Sequence, residues 1–262
     1  MNKPLFVTTK KLKNTREENQ DEIYLDTRKG ILLVADGMGG KNHSRGRQIS
    51  WLAVDRMKDF LAENYDMLKT GLLQENEISE WLRKSVMKTN DYICDIATTE
   101  SFKNGGTTLE AMHLHNNILH YTHVGDSTTF IIKPHDRNKG LIGSIEKLAE
   151  EHNSLPESPI GHIEKYIGMN DLRSEDVDLK KIPLQKYDII FSCTDGVTKP
   201  LTQGDLLEVF TTESIRYAPI AIMRRILQPV QRKEELEEKE LGQTIKNYMG
   251  DNASFIIYQA GE

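Results

Sequence analysis

Ile31-Leu32-Leu33-Val34-Ala35-Asp36-Gly37-Met38-Gly39-Gly40 reads as an apolar strand that delivers a carboxylate into a glycine-rich turn. The design recurs far along the chain, where Asp188-Ile189-Ile190-Phe191-Ser192-Cys193 leads into Thr194-Asp195-Gly196. Strand ends are rigid mounts, and an aspartate delivered by so apolar a strand is costly unless something compensates it. Asp126 in His123-Val124-Gly125-Asp126-Ser127 and Asp251 in Gly250-Asp251-Asn252-Ala253-Ser254 share the setting of small residues beside a strand.

Outward from this frame, residues 22 to 36 form a hairpin turning at Arg28-Lys29-Gly30. Ile49, Leu52, Ala53, Met57, Phe60 and Leu61 recur at helical spacing and predict a helix over 44 to 63. Ile78, Trp81, Leu82, Ser85, Thr89, Tyr92, Ile93 and Ile96 mark the inward stripe of a second, over 77 to 97. From Thr107 to Lys133 the pattern predicts an antiparallel meander, with turns at Asn116-Asn117 and Gly125-Asp126. Residues 134 to 186 carry four prolines and little periodicity, which predicts surface loops with short elements. Helices follow over 204 to 210, 218 to 227 and 231 to 248, then a strand from Ala253 to Gln259. No repeat or composition break divides the chain, so residues 1 to 262 are expected to form one domain. Hairpins and paired helices favour an α+β fold of stacked antiparallel sheets with helices outside.

Composition narrows the function. The 262 residues are 37 % hydrophobic and 28 % charged, which excludes a disordered chain. Thirty-four basic against 40 acidic side chains leave a net charge of -6, with no general attraction for nucleic acid. No apolar stretch reaches the roughly 20 residues that span a bilayer, and the first residues, MNKPLFVTTKKLKN, lack the uninterrupted apolar segment expected of a secretion signal. A soluble cytoplasmic monomer without membrane partners is the expectation. Cys94 and Cys193 form no CxxC pair and read as two reduced thiols.

Converging carboxylates raise one another's pKa, and their usual partner is a hard divalent cation with oxygen ligands. Neither histidine nor cysteine clusters with them in sequence, which favours Mg²⁺ or Mn²⁺. Gly37 lets the chain turn tightly and offers a carbonyl oxygen to the same ion. His113 and His115 share one strand face, and side-chain hydrogen bonding on a sheet surface accounts for them, as for His120 and His123. Lys233–Glu237 and Glu235–Lys239 fit ion pairs along a solvated helix face. Trp51 and Trp81 suit core packing. A phosphate-binding loop at Gly39-Gly40-Lys41 fails, because Ala35 and Asn42 replace the required glycine and hydroxyl residue.

Six ordered motifs carry a resemblance: Arg16-Glu17-Glu18-Asn19-Gln20-Asp21, Asp36-Gly37-Met38-Gly39-Gly40, Gly106-Thr107-Thr108, Val124-Gly125-Asp126-Ser127, Thr194-Asp195-Gly196 and Gly250-Asp251-Asn252. Together they resemble the metal-dependent protein serine/threonine phosphatases of the type-2C (PPM) family in its bacterial form. That resemblance implies a four-layer αββα sandwich of two antiparallel sheets flanked by helices. It implies that Asp36 bridges two Mn²⁺ or Mg²⁺ ions, that the Gly37 carbonyl binds one, and that Asp195 and Asp251 complete the core. Asp21 matches a position holding metal-bound water, Asp126 a ligand of a third, weaker ion shared with Asp195, and Arg16 the arginine gripping the substrate phosphate.

The chemistry so implied is attack on phosphorus by a hydroxide bridging two ions, whose joint field lowers the pKa of water towards about 7. Substrates would be phosphoserine and phosphothreonine on proteins, opposing a serine/threonine kinase. Met38 stands where many eukaryotic relatives carry histidine, so the leaving alkoxide is expected to take its proton from water. Gln20 replaces a common glutamate, Thr128 a common arginine, and the flap-like segment from His152 to Gly168 is short. A catalytically weak phosphoprotein-binding module on the same fold is the alternative, as are switch-type phosphatases acting on an anti-sigma-factor antagonist. Modules of the first kind lose metal ligands, and the second usually carry sensory segments.

Overall fold

The computed structural model describes residues 4–14, 16–38, 43–97, 105–133, 143–153, 163–227 and 251–261. Its strands are β1 (Phe6–Leu12), β2 (Asp21–Asp26), β3 (Ile31–Met38), β4 (Gly106–Thr107), β5 (Leu109–His115), β6 (Ile118–Val124), β7 (Thr128–Lys133), β8 (Ser144–Lys147), β9 (Asp178–Pro183), β10 (Ile189–Cys193) and β11 (Ala253–Gln259). Its α-helices are α1 (His43–Lys69), α2 (Ile78–Ala97), α3 (Asp195–Thr198), α4 (Gln203–Thr212) and α5 (Ala218–Leu227). The strands form two antiparallel sheets, ordered β1-β11-β10-β7-β8 and β2-β3-β5-β6-β9, with β4 on β3.

Side-chain alternation along β3 generates the layers. Ile31, Leu33 and Ala35 face helices α1 and α2, meeting Ile49, Ala53, Met57, Leu61, Leu82 and Val86. Leu32 and Val34 face the other sheet, meeting Ile131, Ile190, Ile256 and Tyr258. Phe130, Phe191, Phe255 and Ile257, on the far side of that sheet, pack under α4 and α5 against Leu206, Val209, Phe210 and Ile222. Central strands are buried on both faces, which is why β3 and β10 read as unbroken apolar runs. The expected αββα sandwich is the observed architecture.

Several local expectations are corrected. The segment from Thr107 to Lys133 is not one meander: β5 and β6 pair in one sheet, whereas β7 pairs with β10 and β8 in the other. Gly125-Asp126 is the crossover between the sheets. Gly125 has φ +115, and a Cβ there would lie 2.6 Å from the Thr108 methyl carbon, so glycine lets the chain leave one sheet tightly. Among the described residues of 134 to 186, the expected short elements include the strands β8 and β9, and β1, which is not among the expected strands, precedes the predicted hairpin. All three are edge strands. Each pairs on one side only and carries lysine, so the periodic apolar signal is weak. Helix α1 continues to Lys69.

His113, His120 and His123 are buried, not on a sheet surface. Burial pushes the pKa of His113 and His120 down to about 4. His120 Nδ1 lies 2.7 Å from the Ser79 hydroxyl. His123 Nδ1 pairs with the buried Glu110, and its ring lies 4.8 Å from that of His152. Ligand atoms of His123, His152 and Asp178 lie within 4.8 Å of one another; His152 Nε2 lies 3.5 Å from Asp178 Oδ2, and its Nδ1 accepts from Gly125 N–H at 3.2 Å. Trp51 is exposed on α1 and belongs to no core. Both cysteines are free thiols, Cys193 buried and Cys94 half-buried. The predicted helix over 231 to 248, with its two ion pairs, lies outside the described residues, as do 154–162 of the flap-like segment.

Candidate metal centre

The strand registers gather the five predicted aspartates at one end of the sandwich. Asp21 opens β2 directly opposite Asp36 at the end of β3. In the facing sheet, Cys193 pairs with both Thr128 and Phe255. Asp195, just beyond β10, therefore neighbours Asp126 before β7 and Asp251 before β11. Residues far apart in the chain meet because antiparallel strands bring alternate ends to the same edge.

The backbone of Asp36 and the carboxylate of Asp21 are held from behind. Asp36 N–H donates to the Thr108 hydroxyl at 2.8 Å, and the Asp36 carbonyl accepts from Thr107 Oγ1 at 2.8 Å and Thr108 N–H at 2.9 Å. Thr194 Oγ1 donates to Asp21 Oδ2 at 3.0 Å and accepts from Ser254 N–H at 3.0 Å, tying the two sheets together. Gly37 donates to the Gln20 carbonyl at 3.2 Å. The Gly37 carbonyl faces Gly46 of α1, where an added Cβ would come within 2.6 Å of its oxygen. Gly196 is required more sharply: a Cβ there would sit 1.8 Å from the Asn252 carbonyl oxygen.

Asn252 has no predicted role and proves central. Its Oδ1 accepts from Gln20 N–H at 2.8 Å, and its Nδ2 donates to the carbonyls of Lys13 at 2.8 Å and Glu18 at 3.0 Å. It thereby fastens the loop carrying Arg16 beside Asp251. Arg16 Nη2 lies 3.1 Å from Asp251 Oδ1, with its side chain 44 % exposed. Sequence reading also missed Lys199, whose ammonium pairs with Asp195 Oδ2 and lies 3.7 Å from Asp251 Oδ2. The only available signal was its placement four residues after Asp195, one helical turn on.

Electrostatically the cluster is strained in the absence of cations. Burial, then the charges of Asp21, Asp195, Asp126 and Asp251, pushes Asp36 well above the carboxylate range. Burial, with Asp195 and Asp251 adding to it, raises Asp21 to about 7 against the hydroxyls of Ser254 and Thr194. Burial and Asp195 raise Asp126 to about 7, and burial raises Asp195 in spite of Lys199. The buried Oδ1 atoms of Asp21, Asp126 and Asp195 have no hydrogen-bond partner. Bare carboxylate oxygens cost free energy in a protein interior unless a cation accepts them. The donor set is all oxygen, so the residues fit hard divalent ions such as Mn²⁺ or Mg²⁺.

A pH dependence follows from these shifts. Folded Asp21 and Asp126 keep protons that an unfolded aspartate releases near pH 4. Their stabilising contribution in the cation-free protein is full below about pH 4 and is lost as pH rises through about 7. Thermal melts in chelator are expected to show a lower Tm at about pH 8 than at about pH 5. Mn²⁺ should raise Tm most at the higher pH; equal Mn²⁺ shifts at both would contradict the assignment.

Comparison with known proteins gives a consistent picture. The family model for Protein phosphatase 2C matches residues 12–239. The chain is similar to the serine/threonine phosphatase stp of Listeria monocytogenes, 29% identical over 217 residues, covering 78% of this chain and 80% of that one. It is also similar to protein phosphatase PhpP of Streptococcus pneumoniae, 25% identical over 206 residues, covering 76% and 80%. In fold it resembles the catalytic domain of the serine threonine protein phosphatase PstP in complex with 2 manganese ions. The TM-score there is 0.72, at 17% identity over 98% of each chain.

Proposed function

Since the chain belongs to the protein phosphatase 2C family, we propose that it hydrolyses phosphoserine and phosphothreonine on proteins at the cluster of Asp21, Asp36, Asp126, Asp195 and Asp251. It is a metal-dependent protein phosphatase, as that family is. The observation carrying the site assignment is the set of three buried, unpartnered carboxylate oxygens inside a cluster of five aspartates.

Asp36, Asp195 and Asp251 would hold the core cations with the Gly37 carbonyl, Asp21 would support water bound to them, and Asp126 would serve at the edge with Asp195. When bound, such ions supply a more acidic water and neutralise charge on the phosphoryl oxygens. Arg16 releases Asp251 Oδ1 to grip the substrate phosphate, a task for which its planar guanidinium suits two oxygens at once. Asn252 keeps the Arg16 loop in place. Met38, paired with Gly106 across β3 and β4, has no proton to give, so the leaving oxygen takes one from water.

The inner core draws on Val7 and Tyr258 alike, which supports one catalytic domain over residues 1 to 262. Among the described residues no helix is long and apolar enough to cross a membrane. We place the protein in the cytoplasm as a monomer, opposing a serine/threonine kinase that supplies its substrates.

Release of phosphate from a phosphothreonine peptide in Mn²⁺, and its loss in chelator, tests the reading. Binding of the peptide without turnover in any metal would overturn it in favour of a regulatory module. Arg16→Ala is expected to lower kcat/KM by about 10- to 150-fold, the worth of hydrogen bonds to a charged group at ~1.5–3 kcal/mol. An unchanged KM and kcat would remove Arg16 from phosphate binding.

A further inference from the structure

Lys199 is a cation on an arrangement of oxygens that otherwise calls for metal. Its ammonium pairs with Asp195 Oδ2 and lies 3.7 Å from Asp251 Oδ2. Placement is firm, because the Lys199 backbone N–H donates to the Asp195 carbonyl at 2.8 Å, following the turn of α3.

The aspartates divide their oxygens between protein and bare space. Asp195 gives Oδ2 to Lys199 and leaves Oδ1 bare; Asp21 gives Oδ2 to Thr194 and leaves Oδ1 bare. Asp251 gives Oδ1 to Arg16 and to Asn252 N–H. Lys199 therefore leaves Asp195 an oxygen with which to ligate an ion. Charge points the same way. Lys199 brings its own positive charge to the Asp195 oxygen that a further divalent ion would have to share.

We propose that Lys199 is a built-in cation of this centre, its ammonium held on Asp195 and beside Asp251 in place of one divalent ion, so that the chain binds two divalent ions and no third. The inference rests on the metal-centre reading above and specifies its stoichiometry. An ordinary helix-surface pair between Asp195 and Lys199 would have no such consequence.

Counting ions tests it without reference to turnover. Protein stripped with chelator is titrated with Mn²⁺ by calorimetry, and the saturated species is weighed by native mass spectrometry. Two ions are expected in the wild type and in Lys199→Arg, which keeps the charge. Lys199→Gln should take up a third ion or bind its weakest ion about tenfold more tightly, the scale of one partly screened neighbouring charge. A wild type that takes three ions overturns the proposal, as does Lys199→Gln with wild-type count and affinity. Failure of the wild type to bind any Mn²⁺ would instead overturn the metal centre itself. The wild-type count stands even if Lys199→Gln fails to fold, and Lys199→Met gives a second neutral variant.

Discussion

Asp36→Asn is expected to lower kcat on p-nitrophenyl phosphate in Mn²⁺ by at least about a thousandfold, while making the cation-free protein more stable. The two effects have one cause. Asp36 sits among Asp21, Asp195, Asp126 and Asp251, and with burial they push its pKa far up, so a neutral amide of nearly the same shape relieves repulsion. The same change removes a carboxylate required to hold the cations. Loss of a single preorganised transition-state donor already costs ~10²–10³ in rate, and Asp36 serves the centre as a whole. Melting curves should show a higher Tm than wild type in chelator and a smaller gain on adding Mn²⁺. Retention of more than about a tenth of the activity would eliminate the paired-cation reading. A lower Tm in chelator would show that Asp36 has a scaffolding role that the electrostatics do not contain.

Glu110→Ala should have the largest effect on folding, at about 3–5 kcal/mol, the cost of stripping one partner from a buried charged pair. Glu110 is wholly buried between the sheets and lies opposite His123 across β5 and β6. Its carboxyl accepts from Tyr121 Oη at 2.9 Å, from the Thr129 hydroxyl of the other sheet, and from His123 Nδ1. Burial opposes charge on His123, but Glu110 outweighs it and raises the His123 pKa. Alanine would leave the His123 imidazole and the Tyr121 phenol without this acceptor in a region closed to water, and the Thr129 hydroxyl with only Ser192 Oγ at 2.9 Å. Single domains have ~5–15 kcal/mol to lose, so the variant should approach the unfolding threshold. Urea denaturation at neutral pH reads the difference. Glu110→Gln, which keeps the shape and an acceptor oxygen, should lose less, about 1–3 kcal/mol. An alanine variant within about 1 kcal/mol of wild type would mean that the sheets repack without this network.

Glu110 also illustrates what a pattern along the chain cannot reveal. Leu109-Glu110-Ala111-Met112-His113 carries two polar residues, whereas β5 is buried throughout that stretch, with Glu110 paired across strands and sheets. Periodicity reports whether a side chain meets water or other side chains on average; it carries no information about which distant polar group is there to receive it. His113, His120 and His123 were misread as surface residues for this reason, and Lys199 went unnoticed. The edge strands β1, β8 and β9 failed for a different one: pairing on one side alone imposes little demand for apolar residues. Trp51 shows the converse, since helical spacing places a residue on a face but does not require every aromatic side chain to be covered.

By itself the amino-acid sequence determined the local design: apolar strands ending on Asp36 and Asp195, two amphipathic helices, and small residues beside Asp126 and Asp251. These depend on contacts between neighbours in the chain, which local residue order encodes directly. Tertiary structure alone decided that Gly125 crosses between sheets, that Asn252 clamps the Arg16 loop, and that Lys199 joins the carboxylates. Those outcomes depend on strand register and on which ends of antiparallel strands share an edge, and desolvation then sets the charge that the gathered groups can bear.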